Sequence, residues 1–224
     1  ISLAAEHPGV VAAVAMHPND AARMATRQGP DILESELLEL RRLAEEPGVR
    51  AIGETGLDYY RTTDAQGRAA QERSFRTHIA WAKELDLSLV IHDRDAHDDV
   101  LRVLDDQGAP QRVIMHCFSG DAAFAKECAS RGFWISFPGV VTFKNAQELR
   151  EAAEATPAQQ LLVETDAPFL TPSPERGKHN APYLLPHTVR FLADLLEVEL
   201  AEFCDRLMAN TFAAYGGPWG SRNG

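Results

Sequence analysis

Positive charge is in short supply: 22 Lys and Arg stand against 33 Asp and Glu, a formal net charge of -11 over 224 residues. A protein that coats duplex nucleic acid usually presents a basic face. The balance therefore argues against broad nucleic-acid binding, but not against a small site where bound cations supply the charge. Cysteine is scarce too. Cys117, Cys128 and Cys204 are odd in number and lack ligand-like spacing, which argues against a disulfide scaffold and suits a reducing cytoplasm. No apolar run approaches the roughly 20 residues of a membrane span. No basic-then-apolar leader opens the chain, so neither secretion nor a membrane partner is expected. Fixed-period repeats, low-complexity tracts and linkers are also missing, so a single domain over residues 1–224 is the economical expectation. The hydrophobic fraction of 45% is ample for its core.

What is present is a rhythm. Short runs rich in Val, Ile and Leu predict strands at 10–16, 49–54, 87–92, 112–118, 133–137 and 161–166. Longer segments of helical period lie between and after them, at 31–46, 68–85, 96–107, 121–131, 145–155, 186–196 and 200–215. In "ILESELLELRRLAEE", Ile32, Leu33, Leu37, Leu40 and Leu43 recur at the three-and-four spacing of one helix face. The strand runs are nearly continuous in apolar residues, as in a parallel sheet covered on both faces. Strands alternating with helices mean an α/β fold, either a (β/α) barrel or a doubly wound sheet.

The strand ends are informative. They finish at His17, Glu54, His92, His116 and Asp166, each a potential metal ligand or proton carrier. In (β/α) barrels the carboxyl end of the strands carries the active site, with residues drawn from several strands. A doubly wound sheet binds chiefly in one crevice, so this distribution favours the TIM-type barrel. Two imidazoles with two carboxylates, His92, His116, Glu54 and Asp166, are an ordinary ligand set for a divalent metal. They are expected to converge there.

Neighbouring residues have plainer readings. If His116 points inward along a strand, alternation turns Cys117 toward the helices as packing. Glu164 shares the face of Asp166 and reads as a hydrogen-bond acceptor beneath the site. His7, His78, His97 and His187 read as ordinary surface or structural histidines. Asp58 is either a turn former or an orienter of a metal-bound imidazole. His17, before Pro18, is either a loop hydrogen bond or a substrate contact. Arg94 either clamps an anion at the same mouth as His92 or pairs with Asp95 or Asp98. The Pro-rich segment "DAPFLTPSPERGKHNAPYLLPH" reads as an ordered loop. Its Arg176, Lys178, His179 and Asn180 suit a phosphate lid, or else the loop is merely solvated.

"AIGETGLDYYR", "VIHDRDAHDDVL", "MHCFSG", "VETDAPFL" and "RGKHNAP", in this order and with "MHPND" and a late "NTF", closely resemble the TatD family of metal-dependent deoxyribonucleases. That family belongs to the amidohydrolase-like barrel hydrolases, and the resemblance spans essentially the whole chain. It implies a centre of up to two divalent ions (Mg, Mn or Zn), with Glu54 bridging, His92, His116 and Asp166 as ligands, and Asp166 also as general base. It implies hydrolysis of DNA phosphodiesters, on single-stranded ends, with His17, Arg94, Lys178 and Asn180 toward the substrate. The family also has a His-x-His pair on its first strand, and none occurs in this sequence. The expectation is therefore a chain with about six of the eight barrel strands. Alternatives are a metal-dependent ester or amide hydrolase, such as a D-aminoacyl-tRNA deacylase, and a non-catalytic fragment or partner-dependent subunit. Oligomeric state is not legible.

Overall fold

In the computed structural model, which describes residues 1–219, strands and helices alternate along the chain. The strands are β1 (Ala12–Val14), β2 (Val49–Asp58), β3 (Ser88–Arg94), β4 (Val113–Met115), β5 (Trp134–Phe137) and β6 (Leu161–Val163). The helices are α1 (Ser2–Glu6), α2 (Pro18–Arg27), α3 (Pro30–Ala44), α4 (Ala65–Glu84), α5 (His97–Gln107), α6 (Ala122–Ser130), α7 (Gln147–Ala155), α8 (Leu185–Leu195) and α9 (Leu200–Ala214). Strand order follows chain order, β1-β2-β3-β4-β5-β6. The resolved registers of β1 with β2, β2 with β3 and β5 with β6 are all parallel. The fold is α/β, with six strands among the described residues. By packing, the chain divides into two compact units: Ile1–Ile114 with the chain from Phe212, and Met115–Thr211. No helix among the described residues is long and apolar enough to cross a membrane.

In the first unit, Ala51, Ile52 and Leu57 of β2, Leu89 and Ile91 of β3, and Phe75 and Ile79 of α4 are fully buried. The α4 helix starts where Asp64 accepts the Gly67 N–H at 2.7 Å. On α3 the buried stripe is Leu33, Leu37 and Ala44, whereas Ile32 and Leu43 are exposed. The apolar face of that helix is thus narrower than its sequence spacing suggests. Helix α2 escapes the sequence reading: its start is a His17-Pro18 step, with the His17 imidazole as the cap and Pro at the first turn.

Strand β2 does not end at Glu54, as the sequence reading expects, but continues to Asp58. Its register against β3 shifts between Ile52 and Thr55, so one extra residue is accommodated on β2 at Gly53-Glu54. Such a bulge re-aims a side chain in mid-strand. Both glycines around it are dictated by β3. A Cβ on Gly53 would lie 2.4 Å from the Val90 Cβ, and one on Gly56 only 2.1 Å from the His92 carbonyl oxygen. Gly56 also has φ +131, outside the range of ordinary L residues.

In the second unit, Ile135 and Phe137 of β5 and Leu161 of β6 are buried. The Phe118 N–H donates to Ser136 at 3.0 Å, and the Phe118 ring stacks on Phe124 with centroids 5.6 Å apart. Asn210 on α9 donates to the carbonyls of Ala158 and Leu161, both at 2.8 Å, tying that helix to the start of β6.

His78, on α4, has no solvent exposure. Its Nε2 accepts the Met16 N–H at 3.1 Å, which places the ring proton on Nδ1, 3.0 Å from the Thr55 hydroxyl. It is a structural histidine, as the sequence reading supposes, but a core one. Burial lowers its pKa to about 3. Between that value and the unfolded pKa of roughly 6.5, only the unfolded chain takes up the proton. Its contribution is therefore fully present above that window and is lost as pH falls through it. The stability difference between the native chain and a His78→Gln variant should shrink by about 2 kcal/mol from pH 7 to pH 5. Urea midpoints at the two pH values measure this, and an unchanged difference would refute the buried neutral state.

Candidate functional site

The side chains at the strand ends gather into two constellations, one in each unit. In the first, Glu54 is presented by the bulge of β2 and His92 by β3. The His92 Nε2 lies 3.2 Å from Asp58 Oδ2, and its Nδ1 lies 3.5 Å from Glu54 Oε2. In the neutral ring the shorter contact, the hydrogen bond to Asp58, takes the proton on Nε2, and Nδ1 then turns its lone pair toward Glu54. His17 approaches Glu54 from the other side, with Nε2 3.6 Å from Oε1. Because His17 Nδ1 accepts the Asn19 N–H at 3.1 Å, its proton belongs on Nε2, the atom facing Glu54. Burial lowers the His17 pKa even though Glu54 pulls the other way. His17 is thus both a helix cap and a hydrogen-bond neighbour of Glu54.

Asp58 resolves the choice left open by its sequence context, because it does both jobs. Oδ1 accepts the Arg61 N–H at 2.8 Å and shapes the turn, while Oδ2 receives Asn19 Nδ2 at 2.8 Å and faces His92. Burial opposes its charge, but the Arg61, Asn19 and His92 contacts outweigh that and hold its pKa below the usual carboxylate value. Gln71, fully buried on α4, grips the Asp58 backbone by accepting its N–H at 3.0 Å. Neither Asn19 nor Gln71 is found by sequence reasoning. Polar residues on helices at no special spacing give no signal.

The second constellation repeats the logic. Glu164 Oε2 accepts from His116 Nδ1 and from the Cys117 N–H, both at 3.0 Å. His116 Nε2 is thereby turned toward Asp166 Oδ1, 3.7 Å away. Glu164 is the acceptor that the sequence suggests. Strand alternation is the wrong argument here, because β4 stops at Met115 and β6 at Val163. His116, Cys117, Glu164 and Asp166 lie beyond strand geometry, and Cys117 and Asp166 have positive φ of 46 and 54. The inference that Cys117 points away from His116 is therefore corrected: its sulfur lies within 4.8 Å of the donor atoms of His116 and Glu164.

The remaining expected contacts are more dispersed. Arg94 pairs with neither Asp95 nor Asp98 in any resolved bridge; its guanidinium lies 3.9 Å from the centroid of the exposed Tyr60 ring. Lys178 is exposed and paired with Glu175. Asn180 is buried, and its amide donates to the carbonyls of Thr165 and Phe169 at 2.7 Å each while accepting the Ala181 N–H. Its side chain braces the loop after β6 and has little left for a ligand. That corrects its placement toward the substrate.

The donor sets fit divalent metal. In each unit an imidazole lone pair faces a carboxylate oxygen, two acceptors that a cation between them reconciles. In each, the far ring nitrogen is anchored by a further carboxylate, the arrangement that orients metal-bound histidine.

Comparison with known proteins agrees with this chemistry. A family profile described as TatD related DNase matches residues 1–216. The uncharacterized metal-dependent hydrolase TatD of Mycobacterium tuberculosis is 46% identical over 213 residues, covering 94% of this chain and 78% of its own length. The uncharacterized metal-dependent hydrolase YabD of Bacillus subtilis is 41% identical over 198 residues, covering 88% and 74%. Among solved structures, YJJV, a TatD homolog from Escherichia coli, aligns with a TM-score of 0.78 at 25% identity, covering 94% of this chain and 87% of that one. A TatD family hydrolase of Entamoeba histolytica shares the fold with a TM-score of 0.77 at 21% identity, covering 93% and 75%.

The outer carboxylate of the first constellation gives a sharp test. In Asp58→Asn, the Arg61 N–H fixes the amide oxygen at the Oδ1 position and leaves the NH2 facing His92 Nε2. The His92 proton must then move to Nδ1, opposite Glu54. Mn2+ affinity measured calorimetrically should fall by roughly 10- to 100-fold, with circular dichroism unchanged. Native affinity in this variant would mean that His92 does not bind metal through Nδ1.

Proposed function

The chain belongs to the TatD family of metal-dependent hydrolases, and on that footing we propose that it hydrolyses phosphodiester bonds of DNA, working on single-stranded ends. The observation that carries this reading is the repeated pairing of an imidazole lone pair with a carboxylate, Glu54 with His92 and His116 with Asp166. These residues would hold one or two ions of Mg, Mn or Zn. Imidazole donors suit Mn and Zn better than Mg. A bound divalent cation supplies Lewis acidity to a phosphoryl oxygen and lowers the pKa of water at the site.

The chain's own residues then have separate tasks. Asp166 is the general base, a carboxylate that takes the proton of the attacking water. Asp58 and Glu164 hold the two imidazoles in one tautomer and one orientation. Arg94, two residues beyond His92 on β3, brings positive charge to the phosphate. The exposed Tyr60 ring beneath that guanidinium offers a face on which an unpaired base can stack. His17 offers its Nε2–H beside Glu54. Lys178 contributes less, because it must leave Glu175 to reach a phosphate. The acidic surface is compatible with a polyanionic substrate because the cations supply the local charge. The three cysteines, none of them in a disulfide, suit a reducing cytoplasm.

Asp166→Asn keeps size and shape but removes the basic lone pair. Turnover of single-stranded DNA should drop roughly 100- to 10,000-fold, with the circular dichroism spectrum retained. Near-parental turnover with metal bound would remove Asp166 as the base. Release of an amino acid from aminoacyl-tRNA by the parent, without any phosphodiester cleavage, would replace the nuclease reading altogether.

Tyr60→Ala tests the substrate class. Loss of one stacked base should raise KM for single-stranded DNA by roughly 5- to 100-fold. A small chromogenic phosphodiester with no nucleobase should be cleaved as before. Equal effects on both substrates would assign Tyr60 a structural role instead.

A further inference from the structure

The Glu164 side of His116 holds a group that the proposed reaction does not use. A ring nitrogen of His116, the Cys117 sulfur and a carboxylate oxygen of Glu164 all lie within 4.8 Å of one another. Nothing in strand geometry would bring the sulfur there. The chain leaves β4 at Met115 and turns through a positive φ of 46 at Cys117, so that the N–H of this residue also meets Glu164. Glu164 Oε2 is shared by the His116 ring and the Cys117 N–H, whereas Oε1 is buried with no hydrogen-bond partner. A buried carboxylate oxygen without a partner is costly, and an absent cation is one of the few things that explains it.

We propose that His116, Cys117 and Glu164 form a capture site for a thiophilic divalent cation such as Zn2+ or Cd2+, and that its occupancy takes His116 out of service. The donor set is nitrogen, sulfur and oxygen, which suits zinc and its heavier relative and is poor for magnesium. Coordination on this side replaces the Nδ1 proton in the contact with Glu164 and releases the Cys117 thiol proton to solvent. A neutral imidazole that binds metal through Nδ1 carries its proton on Nε2. The atom that faces Asp166 then presents an N–H where it had presented a lone pair. The same ring thus serves one metal chemistry or the other, but not both. The capture step stands independently of the nuclease reading, and only the inhibition rests on it.

The experiment adds Cd2+ alone to metal-free protein and follows the ultraviolet thiolate-to-cadmium charge-transfer band. In a chain carrying Cys128→Ser and Cys204→Ser the band should persist, and adding Cys117→Ser should abolish it. Glu164→Gln, in the same background, should weaken Cd2+ affinity by roughly 10- to 100-fold. A band that survives Cys117→Ser, or an affinity indifferent to Glu164→Gln, would overturn the site. These readings need no turnover, so they remain decisive if the nuclease assignment fails. With turnover, Cys117→Ser should keep Mn2+-supported cleavage of a chromogenic phosphodiester and lose its inhibition by Cd2+. Undiminished inhibition in that variant would refute the switch.

Discussion

His78 spends both ring nitrogens on the segment just past β1 and on β2, the two stretches that start the first constellation. It takes the N–H of Met16, one residue before His17, and meets the hydroxyl of Thr55, one residue after Glu54. A single imidazole on α4 thereby fixes the backbone on either side of the site, and it can do so only while neutral. The Ser74 hydroxyl lies 3.3 Å from the same Nδ1, and Trp81 packs edge-on against the ring, so little water can reach it. A helix-borne core residue thus braces the chain beside Glu54.

Much of the architecture is legible in the sequence because burial on both sides of a parallel sheet leaves a coarse signal. Each strand run appears where apolar residues cluster, and each long helix follows its three-and-four spacing. Details governed by one or two atoms are not legible. The bulge at Gly53-Glu54 leaves no periodic trace, so β2 reads as four residues shorter than it is. Helix α2 hides behind a His-Pro step that looks like a loop. The same limit applies at the site. Glu54, His92, His116 and Asp166 can be picked out because polar residues interrupt apolar runs at equivalent places. The sulfur of Cys117 is misplaced by the alternation rule, since that rule holds only inside a strand and β4 has already ended. Asn180 looks like a ligand-facing donor but is consumed by carbonyls that only the folded loop brings near.

The surplus of acid also takes on a local meaning. Asp58 and Glu164 each accept at the far ring nitrogen of a site imidazole, His92 and His116. Their negative charge makes the rings better donors. Elsewhere the acids serve the scaffold. Asp99 accepts the Tyr59 hydroxyl at 2.8 Å and pairs with Arg102, which reaches Glu72 in turn. Burial and Asp99 together raise the Tyr59 pKa to about 12, so this phenol keeps its proton across any ordinary alkaline assay. An alkaline limb in a rate profile would therefore have to come from some other group.

The glycines of "GETG" set a limit on how this chemistry can be moved. Carboxylates are easily exchanged among protein surfaces, but this one stands on a backbone excursion that β3 tolerates only because positions 53 and 56 have no side chain. Grafting the acid alone onto another parallel strand would point it along the ordinary pleat, up or down by parity, and not out of the bulge. The portable module is the whole step, two bare positions with the acid between them, together with a neighbouring strand whose carbonyl comes close enough to require the second. A designer borrowing this centre would have to transplant an emptiness as well as a ligand.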